Sequence, residues 1–229
     1  MFRMNLIKPS NIINKNKKLL HPSKEYYGEF INNIHVDNIL RSYFPNFEYK
    51  GVFLDVGAFD PIQISNSHHF YLNNWDVYAF EANTNLIPKL KKFRKNVYNY
   101  AIYDIDKPEV IFNIVESNGW TAGFSSIELN KDYEKIFPCN NKKITQIKVP
   151  QKTLNTILDT EIKINSIDIL SIDVEGGELN VLKGLSLVKY QPKVILVKNV
   201  THDKNIRTYL QNFGYKIDII NNYNEFYIK

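Results

Sequence analysis

The chain has 229 residues, 44% of them hydrophobic, which is enough for one domain with a full core. Its net charge is +5, but the basic residues are spread along the chain without a concentrated stripe, so nucleic-acid binding is not favoured. The single cysteine, Cys139, excludes a disulfide framework and a structural zinc cluster and favours a reducing compartment. No apolar run could cross a bilayer and no signal peptide is recognisable, so we expect a cytoplasmic protein.

The first 49 residues are interpreted as a region that precedes the main domain, which we place at residues 50–229. Residues 1–24 are polar and contain two prolines, which indicates a loosely packed leader. Between Phe30 and Phe44 apolar residues recur at helical spacing, and Pro45 ends the pattern. This predicts an amphipathic helix that covers one side of the domain.

From residue 50 onward, apolar runs typical of buried strands alternate with segments of helical character. The predicted strands are Val52–Val56, Val77–Phe80, Val97–Ile102, Val110–Val115, Ile167–Ile172 and Val194–Val197, with a terminal hairpin of Lys216–Ile220 and Glu225–Ile228. The predicted helices are 84–94, Thr153–Leu158, Glu178–Leu182 and 203–213. Residues 116–150 are the least regular region and predict a long loop. The alternation predicts an α/β fold with a mostly parallel sheet, helices on both faces and a C-terminal antiparallel hairpin.

Acidic residues follow the strand Ile167–Ile172 directly. Asp173, Glu175 and Glu178 come within six residues of each other, around the turn Gly176-Gly177. Ligands of open α/β sheets bind beyond the carboxyl ends of the strands. Asp173 is therefore expected at the mouth of a cleft, whereas the two glutamates could also charge the first turn of a helix.

The first strand of the domain ends in a similar way. Asp55 and Gly57 close it, and the next strand ends in Glu81, an offset at which an acid commonly binds ribose hydroxyls. The residues after Gly57 do not form the glycine-rich pattern of dinucleotide sites, and Asp60 would repel a pyrophosphate. These features predict a site for a cationic nucleoside without phosphate, and S-adenosylmethionine is such a ligand.

The chain resembles the FkbM family of S-adenosylmethionine-dependent methyltransferases over roughly residues 50–200. The segments that carry the resemblance occur in the family's order: Leu54–Ala58, Ser65–Ser67 with Trp75, Phe80–Ala82, Asn99–Ile102, Gly123–Ser126, Thr153–Leu158, and Leu170–Glu178 continued by Val181–Gly184. The strongest match is Leu170–Glu178, which is similar to the family's "LKIDVEGxE". The first motif alone has little specificity, but the ordered set is specific.

The resemblance implies a class I methyltransferase fold, which is Rossmann-like, and methylation of a hydroxyl on a sugar, glycan or small natural-product-like acceptor. It also implies that one set of residues binds S-adenosylmethionine: Asp55, Gly57, Ala58 and Phe59 at the methionine end, Glu81 and Ala82 at the ribose, Ala101 and Ile102 at the adenine, and Asp173 near the transferred methyl group.

Methyl transfer to a hydroxyl needs a base, because the hydroxyl must lose its proton. Asp173 is our first candidate, and Glu175 or Glu178 the second. The same acids could instead bind a divalent cation that orients a diol. We do not expect a metal, because three acids without a substrate phosphate are a weak metal signal.

One position departs from the family pattern. After the strand Val194–Val197 a glutamate is expected, and the chain has Lys198, which could neutralise Asp173 or stabilise a substrate alkoxide. RNA ribose 2′-O-methyltransferases use a Lys-Asp-Lys-Glu tetrad on the same fold. Asp173, Lys198 and Glu225 fall at compatible places for that alternative. The fourth member would be Lys24 or Lys50.

A third alternative is a non-catalytic module that keeps only the nucleoside pocket. Histidines do not decide between the alternatives. His68 and His69 could line the cleft, but two histidines without a further spaced ligand are a poor metal signal. His202 is interpreted as a surface residue. The sequence does not name the acceptor, and we place its selection in residues 116–150 and the N-terminal segment.

Overall fold

In the computed structural model, residues 25–117, 120–121, 125–129, 135–136 and 142–229 are described. A seven-stranded sheet forms the centre. Its strands are β3 (Val52–Val56), β4 (Asp76–Phe80), β5 (Asn96–Tyr98), β10 (Ile169–Ile172), β11 (Val194–Lys198), β12 (Lys216–Asn221) and β13 (Asn224–Ile228). They lie in the order β12-β13-β11-β10-β3-β4-β5. The five strands from β11 to β5 are parallel, and β13 is antiparallel to both β11 and β12. The predicted mostly parallel sheet with a terminal antiparallel hairpin is confirmed.

Helices precede and connect these strands. In the described parts of the chain they include α1 (Val36–Ser42), α2 (His68–Leu72), α3 (Ile87–Phe93), α4 (Leu154–Ile157), α5 (Glu178–Lys183) and α6 (Lys204–Asn212). A 3-10 turn at Thr84–Leu86 precedes α3, and a π turn at Leu158–Ile162 follows α4. Among the helices described, none is long and apolar enough to cross a membrane.

Two buried apolar clusters share the central strands and take alternate residues from them. One combines Leu54, Leu170 and Ile195 with residues of α4, α5 and α6. The other combines Phe53, Ile169 and Leu196 with residues of α1 and α2. Since successive strand residues point to opposite faces, the two clusters lie on the two sides of the sheet. This packing leaves the carboxyl ends of the parallel strands at one edge.

A second sheet has the order β6-β9-β7-β8, with strands β6 (Ala101–Ile102), β7 (Lys107–Ser117), β8 (Trp120–Thr121) and β9 (Lys143–Lys152). The prediction of one strand over Val97–Ile102 is therefore wrong, because β5 and β6 belong to different sheets. Asn99 lies between them, and its side-chain amide donates to the carbonyls of Glu81 at 2.8 Å and Ala82 at 3.1 Å. This tie turns the chain out of the central sheet.

The prediction of a loop over residues 116–150 is also wrong in its last part. β9 pairs with β7 along nearly its whole length, and its register is irregular between Lys107 and Val110, opposite Pro150. Pro150 lacks the N–H that a regular ladder needs, so the irregularity accommodates it. Residues 118–119, 122–124, 130–134 and 137–141 lie outside the described residues, and Cys139 is among them.

The N-terminal helix is shorter than predicted. Residues Phe30–Ile31 (β1) and Ile34–His35 (β2) form a two-stranded hairpin instead, and only Val36–Ser42 is helical. Asn32 and Asn33 both have positive φ, as a tight hairpin turn requires. Residues 1–24 lie outside the described residues, and the domain boundary at residue 50 remains a prediction.

Residues 25–35 form a segment, here called the strap, that reaches along one edge of the central sheet. Its Tyr26 ring stacks on His69 of α2, and its Asn32 amide donates to Asn221 Oδ1 at 2.6 Å in the terminal hairpin. Between these ends, Gly28 pairs with Ile64 in an isolated bridge. The strap therefore lies beside the loop that follows β3.

Candidate functional site

The carboxyl ends of four neighbouring strands meet in one cleft. Asp55 is in β3, Glu81 follows β4, Asp173 follows β10, and Lys198 ends β11; all four side chains line the cleft. Backbone hydrogen bonds fix the strand ends relative to each other, with Gly57 N donating to Phe80 O at 2.9 Å. The sequence placed these acids at strand ends, and the structure brings them together.

Gly57 occupies a position that no other residue fits. Its φ is +84°, in the left-handed region, and a Cβ there would collide with the carbonyl oxygen of Asp173. Asp173 N in turn donates to Val56 O at 2.9 Å. Because Gly57 has no side chain, the loop after β3 can lie in direct contact with the acidic loop after β10.

Glu81 is held rigidly at the end of β4. Its carboxylate accepts a hydrogen bond from Phe59 N at 2.9 Å and another from Asn83 N at 2.8 Å. Burial raises the pKa of Glu81 to about 7, and these hydrogen bonds only partly oppose the shift. A carboxylate so placed can accept hydrogen bonds from ligand hydroxyls without moving.

Asp55 is equally buried. Burial raises its pKa to about 6, although a hydrogen bond from Ser67 and the positive charge of Arg94 oppose the shift. Arg94 is itself buried and lies within reach of Ser65 Oγ, at 3.4 Å. The two serines of the Ser65–Ser67 motif thus help to hold the Asp55 carboxylate and the neighbouring Arg94 in place.

The other residues predicted at the ligand all line the cleft: Ala58, Phe59, Ala82, Ala101 and Ile102. Phe59 adopts a φ of 47°, which is unusual for an aromatic residue, and its N–H is the one that donates to Glu81. Tyr100 and Phe112 add aromatic surface to the cleft.

Asp173, Glu175 and Lys198 form an ion cluster at the end of β10 and β11. Lys198 Nζ lies 3.0 Å from Asp173 Oδ2 and 3.4 Å from Glu175 Oε1. Burial lowers the pKa of Lys198, but the two carboxylates more than offset this, so its pKa lies above the usual range. Burial raises the pKa of Glu175 well above its ordinary value, against the opposing effect of Lys198. The lysine therefore stays charged and compensates the acids.

Two oxygens of this cluster lack a donor. Asp173 Oδ1 and Glu175 Oε2 are buried and have no hydrogen-bond partner within the part of the chain that the structure describes. Glu175 also has a left-handed φ of 58°. A buried carboxylate oxygen that accepts no hydrogen bond destabilises the folded protein. These two oxygens therefore mark a place where a ligand can supply hydrogen-bond donors.

Glu178 has a different role from its neighbours. Its carboxylate accepts hydrogen bonds from Gly176 N, at 3.0 and 3.1 Å, and from Val174 N at 3.3 Å. Burial raises the pKa of Glu178 to about 7. It is not among the described residues that line the cleft, and it fixes the acidic loop at the start of α5.

Glu225 is not brought to Asp173 and Lys198. In the ladder it lies opposite Val197, one residue before Lys198, and its buried carboxylate is 2.5 Å from Arg207 Nη2. Tyr227 donates to the same carboxylate. Lys50 precedes β3 at the opposite end of the sheet, and Lys24 lies outside the described residues. The tetrad of the RNA alternative is therefore not assembled from Glu225 or Lys50.

This arrangement makes Glu225 a structural acid. Arg207→Met should lower the free energy of unfolding by about 3 kcal/mol, because a buried carboxylate loses its counter-ion. Urea denaturation of the variant measures the change. Lys189→Met is the control, since it removes a solvent-exposed ion pair with Asp159 and should alter stability little. Equal effects of the two substitutions would contradict the assignment.

The histidines do not line the cleft among the residues described. His68 and His69 are buried in α2, where His69 accepts a hydrogen bond from Arg41 Nε at 3.0 Å and His68 packs against Tyr27. The expectation that they line the cleft is wrong. His202 is partly exposed and lies beside Tyr223. In the described ranges no group of three or more His, Cys, Asp and Glu side chains is arranged to bind a metal.

Several lining residues were not identified as site residues from the sequence: Ile64, Asn66, Tyr103, Ile127, Glu128 and Asn180. Ser125 and Ser126, quoted for the family resemblance, also line the cleft, whereas Gly123 and Phe124 lie outside the described residues. Asn66 could have been identified from the sequence, because it is the middle residue of the Ser65–Ser67 motif. Glu128 follows the serines, and no sequence pattern marks it.

Comparison with known proteins gives a family match. The family model described as the methyltransferase FkbM domain matches residues 55–217. No curated protein matches the chain. Among solved structures, a precorrin-6y C5,15-methyltransferase from Geobacter metallireducens GS-15 is similar, with 14% sequence identity, 90% of this chain and 92% of that chain covered, and a TM-score of 0.42.

Proposed function

Because the chain belongs to the FkbM family of methyltransferases, we propose that it transfers a methyl group from S-adenosylmethionine to a hydroxyl of a sugar, glycan or small natural-product-like acceptor. S-adenosylmethionine supplies a methyl group on a positively charged sulfur. The observation that carries the proposal is the meeting of Asp55, Gly57, Glu81 and Asp173 in one cleft.

The residues of the cleft fit this cofactor. Its described lining contains the acids Asp55, Glu81, Glu128, Asp173 and Glu175 and a single cation, Lys198, which suits a cationic ligand. Glu81 would accept hydrogen bonds from the ribose hydroxyls. Asp55, with the backbone around Gly57, would face the methionine end, and Ala101 and Ile102 would border the adenine.

Asp173 would act as the base. Its Oδ2 is engaged by Lys198 at 3.0 Å, whereas its Oδ1 has no partner among the described residues. Oδ1 is therefore the atom that would receive the proton of the acceptor hydroxyl. Lys198 would hold the carboxylate in place and compensate its charge, and Glu175 would share that cation from the other side.

The RNA alternative has less support, because Glu225 is bound by Arg207 away from the cleft. A non-catalytic module would keep the cofactor pocket and lack transfer. These alternatives predict different products, so a single assay distinguishes them.

The experiment is a transfer assay with S-adenosylmethionine labelled in its methyl group, offered with sugars, small hydroxylated compounds and capped RNA. We expect label in a hydroxylated small molecule or glycan. Label in RNA would favour the tetrad alternative. Binding of S-adenosylhomocysteine without transfer to any acceptor would favour the non-catalytic module.

The raised pKa of Glu81 predicts a pH dependence of ligand binding. Ribose hydroxyls donate to the ionised carboxylate, so ionisation of Glu81, with a pKa of about 7, should strengthen binding. Affinity for S-adenosylhomocysteine should therefore rise about tenfold from pH 6 to pH 8 and then level off. Calorimetric titrations at the two pH values measure it. In Glu81→Gln this rise should shrink; equal wild-type affinities at both pH values would contradict the role.

A further inference from the structure

The cleft extends beyond the residues assigned to the cofactor. The part that begins at Asp173, next to the expected methyl group, is here called the acceptor end, and its polar lining includes Asn66, Tyr103, Glu128, Asp173, Glu175 and Lys198. Glu128 lies close enough to Tyr103 to raise the pKa of its phenol, after the larger effect of burial. The acceptor end therefore spans from the strap side to the second sheet.

The acceptor end has little capacity for an anion. Three of its residues are acids, and its one lysine is already engaged by two of them, at 3.0 and 3.4 Å. The carboxylate of Glu29, in the strap, also acts electrostatically on Lys198 and accepts from Asn224 Nδ2 at 3.2 Å. The chain as a whole carries +5, so this cleft is acidic within a basic protein. An anionic acceptor would meet like charges in a partly desolvated site.

The acceptor end also contains oxygen atoms that could accept further hydrogen bonds. Asp173 Oδ1, Glu175 Oε2 and Asn66 Oδ1 are buried and lack a donor among the residues described. The Glu175 side chain is only 8% exposed, so its free oxygen cannot rely on bulk water. A matching ligand must bring hydrogen-bond donors rather than acceptors.

From this charge pattern and these free oxygens, we propose that the acceptor is a polyhydroxylated molecule without negative charge, such as a neutral or amino-bearing sugar. Phosphorylated sugars, uronic acids and nucleotide-linked sugars are selected against. The proposal rests on the proposed function and deepens it by naming the class of acceptor. The exposed Glu128 serves as a charge filter at the rim, and Asp173 and Glu175 receive the donors inside.

The test uses sugars in matched pairs: glucose with glucose 6-phosphate, galactose with galacturonate, and glucosamine as the amino-bearing member. Binding to the full chain saturated with S-adenosylhomocysteine is measured by saturation-transfer NMR titration. We expect neutral and amino members to bind at least tenfold more tightly than their anionic partners. Equal or tighter binding of an anionic member, or no binding by any sugar, would overturn the proposal.

Charge-reversal variants test the filter itself. Glu128→Lys should reduce the ratio of the affinities for glucose and glucose 6-phosphate at least threefold. Glu48→Lys makes the same charge change in the exposed loop before β3, at the far end of the sheet, and should leave the ratio unchanged. The same effect in both variants, or in neither, would overturn the role of Glu128. Failure of the proposed function would give a different result. The wild-type chain would then bind sugars but would either not bind S-adenosylhomocysteine or not transfer a methyl group.

Discussion

Gly57→Ala should lower the free energy of unfolding by more than about 4 kcal/mol and remove binding of S-adenosylhomocysteine. Two costs add at this position. The backbone has a φ of +84°, and the new methyl group would collide with the backbone oxygen of Asp173. Relief of the collision must push the loop after β3 away from the loop after β10. Denaturant unfolding and calorimetric titration measure the two effects.

Gly214→Ala is a matched control for this prediction. Gly214 has the same φ of +84°, but its Cβ would meet only the flexible Lys229 side chain, at 3.6 Å. It should cost about 1–2 kcal/mol from backbone strain alone and leave ligand affinity unchanged. If Gly57→Ala cost no more than Gly214→Ala and still bound the ligand, the close contact between the two loops would not be essential.

Asp173→Asn should reduce turnover by about 10²–10⁴-fold, because the amide cannot accept the proton of the acceptor hydroxyl. The side chain keeps its size, and its oxygen can still accept from Lys198. We therefore expect the variant to fold and to bind S-adenosylhomocysteine within about tenfold of the wild type, a small change on the affinity scale. Single-turnover transfer of labelled methyl and calorimetry measure the two quantities.

Asp168→Asn provides the control at the other end of β10. Asp168 accepts from Val52 N at 2.8 Å and from Tyr49 Oη at 2.8 Å, far from the carboxyl ends of the strands. Its substitution should reduce stability while the folded fraction keeps its turnover. Wild-type turnover in Asp173→Asn would remove Asp173 from the base role and leave Glu175 as the candidate.

The strand-end acids could be predicted because they follow apolar runs directly. Val52–Val56 and Ile169–Ile172 are apolar apart from Asp55 and Ser171, which are both buried, and the parallel order of the strands brings their ends together. Gly57 was recognisable as a turn. Its contact with Asp173 was not, because 116 residues separate them and only the register of β3 and β10 makes them neighbours.

The second sheet could not be predicted in full for a different reason. β9 is largely polar and contains Pro150, so its composition favours a loop. It forms a strand because β7 pairs with it and the irregularity near Lys107 accepts the proline. Similarly, the apolar residues of β1 and β2 also fit helical spacing, and the Asn32-Asn33 turn was the signal that distinguishes a hairpin.

Charged residues were the least predictable part of the site. Glu178 and Glu225 have the residue type and position of catalytic acids. Backbone N–H groups engage the first, and Arg207 and Tyr227 engage the second. Only three-dimensional partners separate such structural acids from Asp173 and Glu175, each of which has one oxygen without a partner among the described residues. Lys198 was identified from sequence as a departure, and the structure adds that it bridges two acids.

We propose that the cleft at the strand ends binds the cofactor through Asp55, Gly57 and Glu81. Titration calorimetry of the wild-type chain with S-adenosylhomocysteine tests it most directly. We predict one site per chain with a Kd below about 100 μM at pH 8, and at least a hundredfold weaker binding in Glu81→Ala. No detectable binding at millimolar ligand, or unchanged affinity in Glu81→Ala, would contradict the claim.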